Sequence, residues 1–313
     1  MPTQPVAMIS SVSTESVPPA ERVDFWEDYN RQALVGLTCS SYSERGLLAR
    51  QTNLRSGALR IAEITGNEHV IERTPGICRR LPKESVFASL VLGGDAVFFH
   101  PDGVLPAPAG SLVLYETDHP YLFGFSSPMR QLLVDIPRPV FTERCLPGGI
   151  RAPMVLGGRS AAEDALVSAL RSVADGLVAR HDHADGERAE QTVLDLIRSL
   201  AGGRFDGQPA QLAIAKDYIE RHLSDPGLSA ERVAAAAGVS ARHLRRLFAP
   251  DGMTPSRYLL QRRLELARDR LRDATSATDT IADIAYRCGF ASQSHFTRVF
   301  RDHFGQTPGE ARG

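Results

Sequence analysis

Cysteine is scarce in this 313-residue chain: Cys39, Cys78, Cys145 and Cys288 lie far apart and show no Cys-x-x-Cys spacing. That argues against a disulfide or zinc framework and predicts a reducing cytoplasm as the chain's home. Long apolar runs are missing as well. No stretch approaches the roughly 18–20 residues a membrane span needs. Met1 to Ala20 lacks the basic start and apolar stretch of a secretory signal. There is no Gly-x-Ser-x-Gly and no phosphate-loop pattern, so the two commonest hydrolase chemistries have no anchor. A net charge of one sign is lacking too, with 36 Lys and Arg against 37 Asp and Glu. The balance is uneven along the chain. Residues 210–313 hold 16 basic against 12 acidic residues, and the remainder holds 20 against 25. A basic end on an acidic body points to a polyanion partner for that end.

What is present divides the chain into four parts. Residues 1–20 are rich in Ser, Pro and Thr and read as a disordered tail. Residues 21–158 read as a ligand-binding domain. Glu21 to Gln32 carries Val23, Trp26 and Tyr29 every three residues, the pattern of a short amphipathic helix. Seven β-type runs follow: Leu59–Thr65, His69–Arg73, Val86–Leu92, Ala96–His100, Ser111–Tyr115, Tyr121–Phe125 and Gln131–Ile136. Short strands at even spacing, split by Gly, Pro and Asp, predict an antiparallel barrel or sandwich able to hold one small ligand. Residues 159–205 read as a helical linker. Ser160-x-x-Glu163 is a capping-box signature. Leu166, Leu170, Val173 and Leu177 share one helix face, and Val193, Leu196, Ile197 and Leu200 another. Those stripes suit packing on each other or a homodimer seam.

Residues 206–313 contain one helical unit twice. Val233, Ala234 and Gly238 recur as Ile284, Ala285 and Gly289; Leu244, Arg246 and Phe248 recur as Phe296, Arg298 and Phe300. A Thr-Pro pair follows each copy, at Thr254-Pro255 and Thr307-Pro308. In each copy a short helix, a turn glycine and a serine-capped second helix (from Ser240 and from Ser292) make a helix-turn-helix. A long helix from Thr254 joins them. Two equal reading heads on one unit suit a target that itself repeats, such as duplex DNA. The outward residues have matching chemistry: Arg pairs bidentately with guanine, Gln with adenine, and helix starts attract phosphate.

On these residues the segment from about 210 to 313 resembles the AraC/XylS family of bacterial transcriptional regulators. The matching phrases are Ala234-x-x-x-Gly238-x-Ser240-x-x-x-Leu244-x-Arg246-x-Phe248 and Ile284-Ala285-x-x-x-Gly289-Phe290-x-Ser292-Gln293-Ser294-x-Phe296-x-Arg298-x-Phe300, with the closing Gly305-Gln-Thr-Pro308. The resemblance implies that both reading helices enter successive major-groove segments of one DNA face. Base contacts are then expected from Arg242, Arg245 and Arg246 in the first helix and Gln293, Ser294, His295 and Arg298 in the second. Ser240 and Ser292 are expected at phosphates. Gly309-Glu310 departs from the aromatic or basic residue common at that place.

Trp26, Arg73-Thr74, Ala109-Gly110-Ser111-Leu-Val-Leu-Tyr115 and Asp118-His119-Pro120-Tyr121 resemble the family's cupin-like sensor domain. That implies an activator that responds to a small organic effector and contacts RNA polymerase. The expected architecture is therefore α+β and multidomain: a cupin-like antiparallel β-barrel with flanking helices, then an all-α tandem helix-turn-helix domain. Phe99, Tyr115, His119 and Tyr121 are candidate effector contacts, although strand alternation lets only half of such residues point inward. A catalytic cupin needs a His-x-His pair with a following Glu and a further His; neither His100 nor His119 has them, so no metal, cofactor or enzymatic activity is expected. His181-Asp182-His183 has the spacing but sits in a polar turn. Cys78, beside Arg79 and Arg80, invites a redox-sensor reading or coincidence. Two other readings stay open: a cupin-type metalloenzyme fused to a DNA anchor, and a non-specific structural DNA-binding protein.

Overall fold

The computed structural model describes residues 7–179, 186–273 and 279–312. His181-Asp182-His183 lies outside the described residues. The chain splits into two compact units, Met1–Phe205 and Asp206–Gly313.

The first unit runs β1 (Ala7–Ser13), a 3-10 turn at Pro19–Glu21, α1 (Arg22–Ala33), β2 (Thr38–Ser41), β3 (Ala49–Ser56), β4 (Leu59–Gly66), β5 (His69–Arg73), α2 (Pro75–Arg80), β6 (Ser85–Gly93), β7 (Ala96–His100), β8 (Gly103–Ala107), β9 (Leu112–Glu116), β10 (Tyr121–Phe125), β11 (Met129–Pro137), α3 (Arg138–Arg144), β12 (Met154–Leu156), α4 (Ala161–Ala179) and α5 (Gly186–Gly202). The strands form two antiparallel sheets, ordered β1-β3-β4-β11-β6-β9-β12 and β2-β5-β10-β7-β8. The expected barrel is thus two facing sheets with edges. Alternate residues face inward, as pleated strands require. Phe87, Tyr115 and Leu133 of the larger sheet share a core with Phe98, Tyr121 and Phe123 of the smaller. Phe123 stands opposite Ile71 on one side and Phe98 on the other.

Residues 7–20 are not a tail. β1 pairs with β3, and the Thr14 hydroxyl donates to the Leu47 carbonyl at 2.7 Å. β3 itself, Ala-Arg-Gln-Thr-Asn-Leu-Arg-Ser, has too few apolar residues to be recognised as a strand. Its inward residues Gln51 and Asn53 are buried. They form a polar network instead: Gln51 Nε2 donates to Asn53 Oδ1 at 3.0 Å, and Asn53 Nδ2 donates to the Tyr29 hydroxyl at 2.8 Å and to Ser10 Oγ at 3.0 Å. A buried polar strand persists because most of its groups are paired; among the side-chain atoms of Gln51 and Asn53 only Gln51 Oε1 is left without a partner.

The outer face of the larger sheet is covered by α3, α4 and α5. Leu166, Leu170, Leu177, Val193, Leu196, Ile197 and Leu200 are all buried within this chain, and α4 packs on α5. These stripes are therefore largely used within one subunit, with Val173 alone of them half-buried. Ser160 Oγ accepts from the Glu163 N–H at 3.2 Å. The expected capping box is only half formed, because the Glu163 carboxylate turns to the Gly157 N–H and to Arg159. Among the described residues no helix is long and apolar enough to cross a membrane.

The second unit runs α6 (Gln208–Arg221), α7 (Ala230–Ala236), α8 (Ala241–Phe248), a 3-10 turn at Ala249–Asp251, α9 (Pro255–Arg272), α10 (Ile281–Arg287), α11 (Gln293–Phe304) and α12 (Pro308–Arg312). It has two apolar cores. Leu244, Leu247 and Phe248 close the first with Ile219 and Val233; Phe296 and Phe300 close the second with Leu264, Leu271, Ile284 and Ala285. Burying each such ring stabilises by roughly 1.5–3 kcal/mol.

Candidate nucleic-acid interface and interior cavity

Each half of the second unit builds its reading helix the same way. The Ser240 hydroxyl accepts from the His243 N–H at 3.2 Å and starts α8; the Ser292 hydroxyl accepts from the His295 N–H at 3.3 Å and starts α11. These hydroxyls are therefore helix caps, and what they leave for a phosphate is the remaining first-turn N–H groups. Gly238 and Gly289 turn the chain at φ of 65° and 79°, conformations that β-carbons resist. Thr280 and Asp283 complete a reciprocal capping box before α10. At the departure from the family pattern, Glu310 bonds back to the Thr307 N–H at 2.7 Å and so caps α12.

Arg242, Arg245, Arg246, Gln293, Ser294, His295 and Arg298 are all exposed. Among the described residues no carboxylate pairs with any of these four arginines. The scaffold arginines differ. Arg262 is bound by Glu220 and Glu265, Arg232 by Asp225, and Arg287 by Asp279. Arg263 donates to the carbonyl oxygens of Leu223 and Asp225 at 2.9 and 2.5 Å, and Arg268 lies 4.7 Å over the Phe304 ring. The joining helix therefore spends much of its charge internally, while the reading helices keep theirs for an anion. His243, which sequence reasoning passed over, accepts a hydrogen bond from Arg246; its signal was the 52-residue offset that aligns it with His295.

In the first unit a cavity of about 20 Å³ lies between the sheets and α1. Tyr115 and Tyr121 line it. Phe99 does not: it is 42% exposed, because its neighbour Phe98 takes the inward position. His119 does not either; its side chain is 69% exposed, 3.9 Å from Glu116. The residues missed by sequence reasoning include Trp26, Asn30, His69, Phe87 and Gln131. The sequence shows Trp26 as a helix-face residue, but nothing in it aims a helix at a sheet interior. Burial raises the Tyr115 hydroxyl to about 12, opposed by its hydrogen bond with Ser89. Burial raises Tyr121 well above its ordinary value. Burial lowers His69, partly offset by the Asn67 carbonyl.

Beside the cavity, Arg73 is fully buried. Its Nε donates to the Thr117 carbonyl at 3.0 Å, Nη2 to the Leu81 carbonyl at 3.0 Å, and Nη1 to the Gly36 carbonyl. It ties three connections together at one end of the sheets. Cys78 Sγ is 4.0 Å from the Thr117 carbonyl oxygen. Cys288 is buried and its thiol is raised to about 11 by burial, as suits a small core residue. Among the described residues no group of three or more His, Cys, Asp or Glu is placed to hold a metal ion.

A two-sheet domain followed by a tandem helix-turn-helix unit with unpaired cationic reading helices defines a DNA-binding regulator. The AraC-binding-like domain family matches residues 26–203, and a helix-turn-helix domain family matches residues 233–313. The chain belongs to the AraC family of transcriptional regulators. It is 30% identical over 263 residues to the transcriptional activator NphR of Rhodococcus sp., covering 81% of this chain and 77% of that protein. It is 37% identical over 135 residues to the transcriptional activator RhaS of Enterobacter sp. (strain 638), covering 42% of this chain and 47% of that protein. The crystal structure of the AraC-like transcriptional activator CuxR shares the fold, with a TM-score of 0.51 and 21% identity over 82% of this chain and 95% of that one.

Proposed function

We propose that this regulator is an activator whose first unit binds a small organic effector and whose second unit reads two DNA segments about one turn, roughly 34 Å, apart. It acts in the bacterial cytoplasm and reaches RNA polymerase from the bound site. The proposed base contacts are Arg242, Arg245 and Arg246 from α8 and Gln293, Ser294, His295 and Arg298 from α11. The observation that carries this reading is the exposure of those side chains with, among the described residues, no carboxylate in an ion pair with any of the arginines. Activation is supported by the names of the relatives. A homodimer would have to use surfaces other than the buried α4 and α5 stripes. The effector acts by binding one arrangement of the protein more tightly than another, which is the only way a ligand shifts an equilibrium.

Selection of DNA from a random pool, with full-length protein at a stated salt concentration, tests the reading. Two short base-specific blocks one turn apart are the expected product. Strong binding with no sequence preference would instead favour a non-specific DNA-binding protein.

A further inference from the structure

The cavity of the first unit has more to say about its ligand than its position does. Its volume of about 20 Å³ holds roughly one water. Its walls include the rings of Trp26, Phe87, Tyr115 and Tyr121. Among these apolar walls the buried Gln131 Oε1 has no hydrogen-bond partner, and the buried Tyr121 hydroxyl has only the neighbouring Tyr115 hydroxyl. Their residues are 3% and 5% exposed. Native proteins rarely leave such groups unpaired, and each one asks for an explanation. A third group stands with them. His69 lines the cavity, and its Nδ1 lies 2.7 Å from the Asn67 carbonyl oxygen. A carbonyl only accepts, so Nδ1 carries the proton and the neutral ring offers a lone pair at Nε2. Burial keeps that ring neutral.

Resting on the reading of this unit as an effector sensor, we propose that the cavity takes a compact, uncharged, mostly apolar ring carrying one or two hydroxyl or N–H donors. Gln131 Oε1 and His69 Nε2 accept the donated hydrogens, and the Tyr121 hydroxyl completes the set. A carboxylate fits badly, because two of the three groups offered are lone pairs. Arg73 stands opposite Tyr121 across β5 and β10, but its three nitrogens already serve the carbonyls of Thr117, Leu81 and Gly36. A polyol fits badly as well, since Asn30 and Tyr115 already serve Trp26 and Ser89 and the few remaining polar groups leave most of its hydroxyls unpaired. A six-membered ring also needs more room than one water. Room comes from the α1 side, where Trp26 and Leu34 form the wall, so the ligand-filled and closed states differ at α1.

The chain has a single tryptophan, and it is in this wall. Trp26 fluorescence of the full-length protein is the direct readout. Cyclohexanol, cyclohexanecarboxylate, methylcyclohexane and inositol are the probes, and none of them absorbs with tryptophan. Cyclohexanol is expected to give a saturable change and to bind at least about tenfold more tightly than the other three. Gln131→Leu should erase its advantage over methylcyclohexane; Tyr121→Phe, which removes only one oxygen, should reduce that advantage if the leucine variant fails to fold. Equal binding of cyclohexanol and methylcyclohexane would overturn the proposal, because the orphan groups would then serve only water. Tighter binding of cyclohexanecarboxylate or inositol would overturn the chemical class while leaving the sensor reading intact. No response to any probe, in protein that still binds DNA, would overturn the cavity as a site for such rings while leaving the effector reading to be judged on its own.

Discussion

Arg246 donates through Nη2 to His243 Nδ1 across 3.2 Å, one helical turn apart on α8. Arg298 repeats the contact with His295 at 3.3 Å on α11. The duplication thus extends to the side-chain geometry of the reading surface. It also assigns the tautomer: Nδ1 accepts, so Nε2 carries the proton in each ring. The histidine holds a long, costly-to-order arginine in place before DNA arrives, which reduces the entropy lost on binding.

Replacing Arg246 by Ala should therefore weaken binding to the selected site by about 1–3 kcal/mol and relax preference at one base. Arg298→Ala should act about one helical turn away on the DNA. His243→Ala keeps the Arg246 guanidinium on the helix but no longer holds it, so it should cost less than Arg246→Ala and keep the base preference. Titration against specific and random DNA at one salt concentration checks all three. Equal losses on both DNAs from Arg246→Ala would remove its base-reading role.

The two turn glycines look equivalent in sequence but are not. A β-carbon on Gly238 would meet nothing within 4 Å, whereas one on Gly289 would lie 2.3 Å from the Leu223 carbonyl oxygen and 2.8 Å from Arg263 Nε. Arg263 Nε donates to that same carbonyl, so α9 is tied to the α6 end just where the second turn passes. Gly238→Ala should cost only the left-handed backbone penalty, roughly 1–2 kcal/mol. Gly289→Ala should cost more and should also impair binding to the two-block site. Urea denaturation and site binding of the full-length variants measure both. Equal destabilisation would show that the Leu223 contact relaxes freely.

Much of this was legible in the sequence, and the exceptions share a cause. Tyr121–Phe125 and His69–Arg73 were readable to the residue because apolar and aromatic residues alternate between turn signals. The caps at Ser240, Thr254 and Ser292 were readable because a cap is a local hydrogen bond. β3 was not, since its inward Asn53 is held by Tyr29 and Ser10, partners from distant parts of the chain, and Gln51 by Asn53 in turn. The cavity was half legible: Tyr115 and Tyr121 come from strand alternation, but Phe99 requires knowing which face of β7 is inward. Gln131 matters through the partner it lacks, and only a three-dimensional structure reveals that.

Arg73 shows how far a buried cation depends on such non-local partners. Its three nitrogens satisfy carbonyls from three separate connections, and no carboxylate is involved. Arg73→Ala would strand all three carbonyls and should destabilise the first unit by at least about 3 kcal/mol, since bonds to a charged donor are worth about 1.5–3 each. Arg73→Lys should recover only part of this, because one ammonium cannot span the fork. Thermal unfolding of the full-length variants, read at the sheet-rich unit, gives the order wild type, Lys, Ala. Identical curves for Lys and wild type would mean that charge alone suffices.

Acid should find the sheet-rich unit through His69. Burial lowers its folded value, and the Asn67 carbonyl and Glu68 oppose that shift only in part. The unfolded ring titrates near about 6.5. Above that pH both states are neutral and His69 exacts no penalty. As pH falls below it, the unfolded chain takes the proton first, so stability declines until the lowered folded value is reached, by at most about 1.4 kcal/mol per pH unit. The midpoint of the first unit's unfolding should therefore drop between neutral and mildly acid pH. His69→Gln, which cannot titrate, should flatten that slope whatever it does to absolute stability. A variant with an unchanged slope would place the acid sensitivity on other groups. A ligand that uses the Nε2 lone pair should keep its affinity over that range and lose it only as pH falls through the lowered folded value, because a protonated ring has no lone pair to offer.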